Sequence, residues 1–300
     1  MRVIKSGIIK NVGSSGQIDD QWVFYSSCYA LYHNNRVWLY CDAMPDNLHP
    51  RVELLSSKDG ENFVNKGIVV PLGSVGSASS YGVGYRCLSI NRFNNQFFLY
   101  TSTWDGASRG GVNLYISKDG MNFVDKSTVF QVSGIGLVDD VTADGVKFVS
   151  LGNKMFGYYE GDNNNYLYAN ILGIVSDDGM NFVKKGIYIP KMSAGKIADV
   201  SVAYWGFSPF RWHNKIWMLF SACPGAGISG ILALYCSDDG CNFEARGEII
   251  VPRGGAGEVD TVTNAAGQCV LPIDGTHIAI YSGCTGASGS TRGMRTILEL

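Results

Sequence analysis

Apolar residues along the chain fall in short runs of strand length separated by polar turn residues, with little of the three-to-four spacing of helices. The runs come in sets of four. Between 131 and 189 they read "DVTADGVKFVSL", "KMFGYYE", "NYLYANILGIVS" and "NFVKKGIYIP", joined by tight turns such as "GNK" and "DDG". The last turn of the set is a phrase that recurs: "SKDGENF" (57–63), "SKDGMNF" (117–123), "SDDGMNF" (176–182) and "SDDGCNF" (237–243). Its serines, Ser57, Ser117, Ser176 and Ser237, stand 60, 59 and 61 residues apart. A period near 60 with four strands per period predicts a β-propeller.

Five such units fill 300 residues, yet the phrase occurs only four times. The C-terminal "MRTILEL" reads like the strand before the phrase and the N-terminal "MRVIKSGIIK" like the strand after it. The fifth unit is therefore split between the ends. The expectation is an all-β, five-bladed β-propeller of four antiparallel strands per blade, one domain over 1–300. Its blades lie at about 11–70, 71–130, 131–189, 190–251, and 252–300 plus 1–10. Pairing of the N-terminal strand with the C-terminal blade would close the ring and leave no open seam. Within the phrase, Asp-Gly supplies the left-handed backbone of a hairpin turn, and Ser and Asp bond nearby amides. Phe63, Phe123, Phe182 and Phe243 are expected to pack between blades.

Composition agrees with a turn-rich β fold: 38 Gly, and aromatic residues at 12%. A net charge of −2, with no basic run, argues against a nucleic-acid partner. No apolar run reaches membrane-spanning length, so no membrane insertion is expected. The N-terminus does not read as a signal peptide, which suggests a cytoplasmic protein or one carried outside within a larger assembly. The eight Cys form no CxxC pair, so Cys28, Cys87 and Cys269 read as small buried hydrophobes rather than thiolate metal ligands.

Alternating strand direction puts the short turns on one rim and the long, Gly/Ser-rich connections on the other, where function usually sits. Counting 23 residues on from each phrase's Ser gives Ser80, Asp140, Asp199 and Asp260, and Asp20 is the match in the first unit. Four of five innermost strands thus begin at an Asp on the long-loop rim. Glu258 shares a strand face with Asp260, while Asp42 and Glu160 end second strands on the same rim. Gathered carboxylates raise one another's pKa, which can keep a proton-donating acid beside an ionised base. They could equally cap strand-entering amides. No cofactor is expected, with a Ca2+ ion in the channel as the alternative. Tyr81, Trp104 and Trp205 offer flat apolar surfaces for sugar rings, and Arg86, Arg109 and His49 offer donors.

The turn phrase resembles the Asp-box of sialidases, one residue shorter. The whole pattern is similar to the five-bladed propeller glycosidases, including arabinanases, xylosidases, levansucrases and invertases. The resemblance implies an Asp of the first blade as base or nucleophile, a second Asp that tunes the site, and a Glu as general acid. Asp20 matches the first role. Ser80 stands where the second blade would have its Asp, and Asp140, Asp199 and Glu258 offer the same residue types on consecutive blades. The implied ligand is a poly- or oligosaccharide. A glycan-binding or adhesion propeller without catalysis, with an unnamed assembly partner, is the other expectation.

Overall fold

The computed structural model describes residues 2–11, 22–44, 49–75, 77, 79–104, 109–131, 142–162, 170–189, 202–224, 231–250, 263–285 and 291–300. Among these are twenty strands and no helix. Strand β1 (Arg2–Lys10) opens the chain. Blade 1 follows as β2 (Trp22–His33), β3 (Arg36–Met44), β4 (Arg51–Ser57) and β5 (Val64–Val70). Blade 2 is β6 (Gly82–Phe93), β7 (Gln96–Trp104), β8 (Arg109–Ser117) and β9 (Val124–Phe130). Blade 3 is β10 (Thr142–Leu151), β11 (Lys154–Asp162), β12 (Asn170–Ser176) and β13 (Val183–Ile189). Blade 4 is β14 (Val202–Trp212), β15 (Lys215–Pro224), β16 (Ile231–Ser237) and β17 (Glu244–Ile250). Blade 5 takes β18 (Thr263–Pro272), β19 (His277–Thr285) and β20 (Thr291–Glu299), and its fourth strand is β1.

That last pairing is antiparallel, from Arg2 opposite Glu299 to Lys10 opposite Gly293. The two ends of the sequence thus complete one sheet, as the split repeat predicts. A propeller left open here would expose two unpaired sheet edges. The described core divides into five apolar clusters, one at each seam between neighbouring blades. The blades are held to one another by the same burial that holds each sheet together.

Local chemistry explains the turns. First and second strands are joined by residues in the left-handed region, as at Asn34 (φ 49°) and Asn35 (φ 57°) or His213 (φ 50°) and Asn214 (φ 57°). Positive φ at both central positions is what a two-residue hairpin requires, and Asn tolerates it. In the recurrent phrase, Gly60, Gly120, Gly179 and Gly240 take φ between 73° and 78°. The Ser117 hydroxyl donates to Asp119 Oδ1 at 2.7 Å and accepts from the Gly120 amide at 2.9 Å. Asp119 accepts from the amides of Met121 and Asn122 and from the Asn122 side chain. The other three copies repeat this network. Those donors hold the carboxyls of Asp59, Asp119, Asp178 and Asp239 well below the usual range, the Asn amide of each turn contributing most.

Each turn is also docked onto the preceding blade. Tyr40 of blade 1 donates to the Gly120 carbonyl of blade 2 at 2.9 Å, Tyr100 to Gly179 at 2.7 Å, and Tyr158 to Gly240 at 2.7 Å. Tyr281 of blade 5 reaches the Gly60 carbonyl of blade 1 at 3.3 Å. The phrase's Phe lies edge-on to the same tyrosine, with centroids 6.3 Å apart for Phe123–Tyr40 and 5.5 Å for Phe243–Tyr158. Phe182–Tyr100 and Phe63–Tyr281 repeat the contact, so the phenylalanines do pack between blades. Blade 4 has Leu219 at the tyrosine's register position, opposite Ser208 as Tyr40 is opposite Tyr29. Its neighbour, blade 5, has no third-to-fourth-strand turn, because β20 and β1 come from opposite ends of the sequence. A tyrosine there would have no glycine carbonyl to meet. Leu219 packs instead in a cluster with Leu298, and Leu300 lies against it. Trp212 and His213 add polar contacts across this seam, to the carbonyls of Asp274 and Gly275.

Candidate functional site

The hairpins and the recurrent turns share one rim of the wheel. The opposite rim collects the second-to-third-strand connections and the links between blades. Toward that rim every innermost strand breaks register with its partner at a corresponding level. The breaks fall between Val23 and Cys28, Val83 and Leu88, Asp144 and Lys147, Tyr204 and Phe207, and Ala266 and Cys269. Gly84 (φ 100°) and Gly145 (φ 66°) sit in two of them. Bulges re-aim side chains and gather beside active sites. Five of them around one hub are a structural signature of that rim.

The described part of the rim is clearest at the seam of blades 1 and 2. Asp42, at the end of β3, is fully buried and accepts from the Ser27 amide at 3.3 Å. The Ser27 hydroxyl donates across the seam to the Gly84 carbonyl at 2.9 Å. A side chain at residue 84 would sit 3.7 Å from the Asp42 Cβ, so glycine permits this approach. Just outside, the rings of His49 and Tyr81 lie 4.4 Å apart at 53°, both partly exposed. The Val83 amide donates to the Pro50 carbonyl at 2.8 Å and ties the two blades together there. The Thr103 hydroxyl, opposite Val83, is buried without a partner.

His49 and Tyr81 are thus brought together at the rim. Asp42 is on the rim but fully buried, where it accepts from the Ser27 amide. Ser80 precedes β6 and is partly buried, its amide bonded to the Ser77 carbonyl. Arg86 and Trp205 occupy the register breaks of β6 and β14, while Trp104 ends β7 opposite Gly82 and Arg109. Glu160 lies in β11 between Asp144 and Ile171. Asp20, Asp140, Asp199, Glu258 and Asp260 lie outside the described residues, each in the chain just ahead of an innermost strand. Among the described residues no group of three or more His, Cys, Asp or Glu could hold a metal ion. Cys28 and Cys269 are buried, in keeping with their sequence reading.

Three polar residues escape the sequence reading. Glu53 is fully buried and bonded to Asn65. Its counterpart Asn113 accepts from Thr128 at 2.8 Å, which marks the position as a structural polar pair inside a blade. Ser27 bridges the rim seam. Lys147 is 5% exposed on an innermost strand. The signal for it was present: a lone cation in "GVKFVSL", an otherwise apolar stretch.

No family model matches the sequence, and no curated protein matches it. Solved structures do match, over nearly the whole chain. A family 117 glycoside hydrolase of the marine bacterium Zobellia galactanivorans is 12% identical with a TM-score of 0.69, covering 98% of this chain and 89% of that one. The RS223 β-xylosidase is 13% identical with a TM-score of 0.68, covering 99% and 95%. The fold is that of the five-bladed propeller glycosidases. A β-1,2-mannobiose phosphorylase from Listeria innocua is also similar, at 11% identity and a TM-score of 0.67 over 92% and 90%. Proteins of this fold thus include both glycoside hydrolases and a phosphorylase, so the fold alone does not fix the chemistry.

Proposed function

We propose that the chain is a glycosidase that cleaves a poly- or oligosaccharide at the long-loop rim. The observation that carries this reading is the set of five matched bulges on the innermost strands, four of which follow an Asp by a few residues in the sequence. Asp20 and Asp140 precede their strands by two residues, Asp199 and Asp260 by three. An extended residue spans at most about 3.6 Å, so connectivity tethers these backbones within roughly 7–11 Å of the strand starts.

In this reading Asp20 or Asp140 activates water or attacks the anomeric carbon, and Glu258 or Glu160 protonates the departing oxygen. The glycosidic C–O bond breaks, the leaving group takes the acid's proton, and water supplies hydroxyl to the anomeric carbon and a proton to the enzyme. Asp199 and Asp260 set the charge around the pair. A separation of about 5–5.5 Å between the two carboxyls would give retention, and about 6.5–9.5 Å inversion. Tyr81, Trp104 and Trp205 would stack on sugar rings, with His49, Arg86 and Arg109 donating to hydroxyls.

The test is release of reducing ends from a panel of plant, algal and bacterial glycans by the wild type and by Asp20→Asn, Asp140→Asn and Glu258→Gln. Release that falls at least a hundredfold in one Asp variant and in Glu258→Gln supports the assignment. Glycan binding with no release from any glycan would favour a recognition module instead. Release that survives all three substitutions would overturn the choice of residues.

A further inference from the structure

The hub carries a charge that the glycosidase reading does not use. One register position of the innermost strands, opposite the docking tyrosines, is occupied by Tyr29, Ser89, Lys147, Ser208 and Cys269. Ser89 and Ser208 spend their oxygens on the amides of Phe148 and Val270 in the next blade. Tyr29 crosses from blade 1 to blade 3 and donates to the Phe148 carbonyl at 3.4 Å. Asn91 donates to the same carbonyl at 3.0 Å. Cys28 Sγ lies 3.5 Å from Cys269 Sγ and 3.3 Å from the Tyr281 carbonyl.

Lys147 stands apart from these satisfied groups. Its residue is 95% buried by the 5% exposure, and its ammonium has no hydrogen-bond partner. Among the described residues no carboxylate pairs with it. Lys147 holds in blade 3 the register position that Tyr29 holds in blade 1, from which the Tyr29 side chain reaches across the hub. An unpaired buried ammonium costs several kcal/mol, which neutral dipoles relieve only in part.

We infer that the hub is an anion-binding site in which Lys147 holds a monatomic inorganic anion, with chloride the natural occupant. Tyr29 already spans from blade 1 to blade 3, which favours a small ion over phosphate or a sugar acid. Sign follows from Lys147, and it is opposite to that of the Ca2+ considered from the sequence alone. Lys147 flanks the register break of β10 on its inner side. The inference stands independently of whether the rim cleaves glycans.

The experiment is thermal unfolding of the wild type and of Lys147→Met at constant ionic strength, with chloride replacing methanesulfonate. The wild-type Tm is expected to climb with chloride and saturate, following binding to the native state alone. Lys147→Met is expected to lose that response and, with no charge to bury, to match or exceed the chloride-free wild type. Crystals of the wild type grown in bromide give a second reading that does not depend on the variant folding. An anomalous peak within hydrogen-bonding distance of Lys147 Nζ is expected. A wild-type Tm with no saturating chloride response, together with no bromide peak and an ordered water only beside Nζ, would overturn the site.

Discussion

The two rims of the wheel are built on opposite principles. On the turn rim, four copies of one network keep the same Ser, Asp, Gly, Asn and Phe, and the same tyrosine from the blade before. On the long-loop side the connections differ in sequence from blade to blade, while among the described residues a register break recurs, preceded in sequence by an Asp in four of the five units. Repetition on one side and variety on the other separate the stabilising half of the molecule from the half free to acquire chemistry. The seam between blades 4 and 5 sharpens the point, since Leu219 replaces the tyrosine at the one place where the next blade has no turn to dock.

The largest expected effect separates two glycines. A Cβ at Gly120 would meet Trp38 at 2.8 Å and the Tyr40 hydroxyl at 2.9 Å, at a φ of 75°. Gly67 has a φ of 98° but nothing within 4 Å. Gly120→Ala combines left-handed strain with overpacking and should cost about 2–4 kcal/mol in denaturant unfolding, against about 1–2 for Gly67→Ala. Equal costs would mean that the turn is not pressed against the neighbouring blade.

Next come the docking tyrosines. Tyr100→Phe keeps the ring contact with Phe182 but leaves the Gly179 carbonyl without its donor, for a loss of about 1–2 kcal/mol. Leu219→Tyr restores the residue type of the other blades, yet should destabilise by about 1–3 kcal/mol through overpacking. A stabilising Leu219→Tyr would show that the tyrosine works without the turn.

The smallest effect is in acid. The turn aspartates have folded pKa values depressed below the unfolded value near 3.9. Their contribution is complete above that value and is lost as pH falls through the folded value. Thermal stability should therefore be flat from neutral pH to about pH 4 and decline below it. Asp119→Asn should have a shallower decline than the wild type, and an identical slope would remove Asp119 from the acid transition. Asp274, lowered to about 2 chiefly by the Thr276 amide, adds to the same limb.

Much of the wheel was legible because it rests on local rules. Asp-Gly turns, Asn-Asn hairpins and a period near 60 dictate strands, blades and closure, and each is visible in one dimension. The docking tyrosine was not, although Tyr40, Tyr100, Tyr158 and Tyr281 recur with the repeat, because its partner lies in the following blade some 80 residues on. Burial was equally hidden. Asp42 reads as a rim acid and is buried beside Ser27 and Gly84, while the lone cation of "GVKFVSL", Lys147, shows its apolar setting in the sequence but not its lack of a partner. The ring contact of His49 with Tyr81 was not legible either, and the rim acids depend on long connections whose course no period encodes.

The division between the rims is tested most directly by measuring glycan release per folded molecule alongside unfolding free energy, for Gly120→Ala and Glu258→Gln in parallel. The expected result is a crossed pattern. Gly120→Ala loses stability and keeps its turnover at low temperature, whereas Glu258→Gln stays within about 0.5 kcal/mol of the wild type and loses release. Turnover that follows Gly120 and ignores Glu258 would contradict the account.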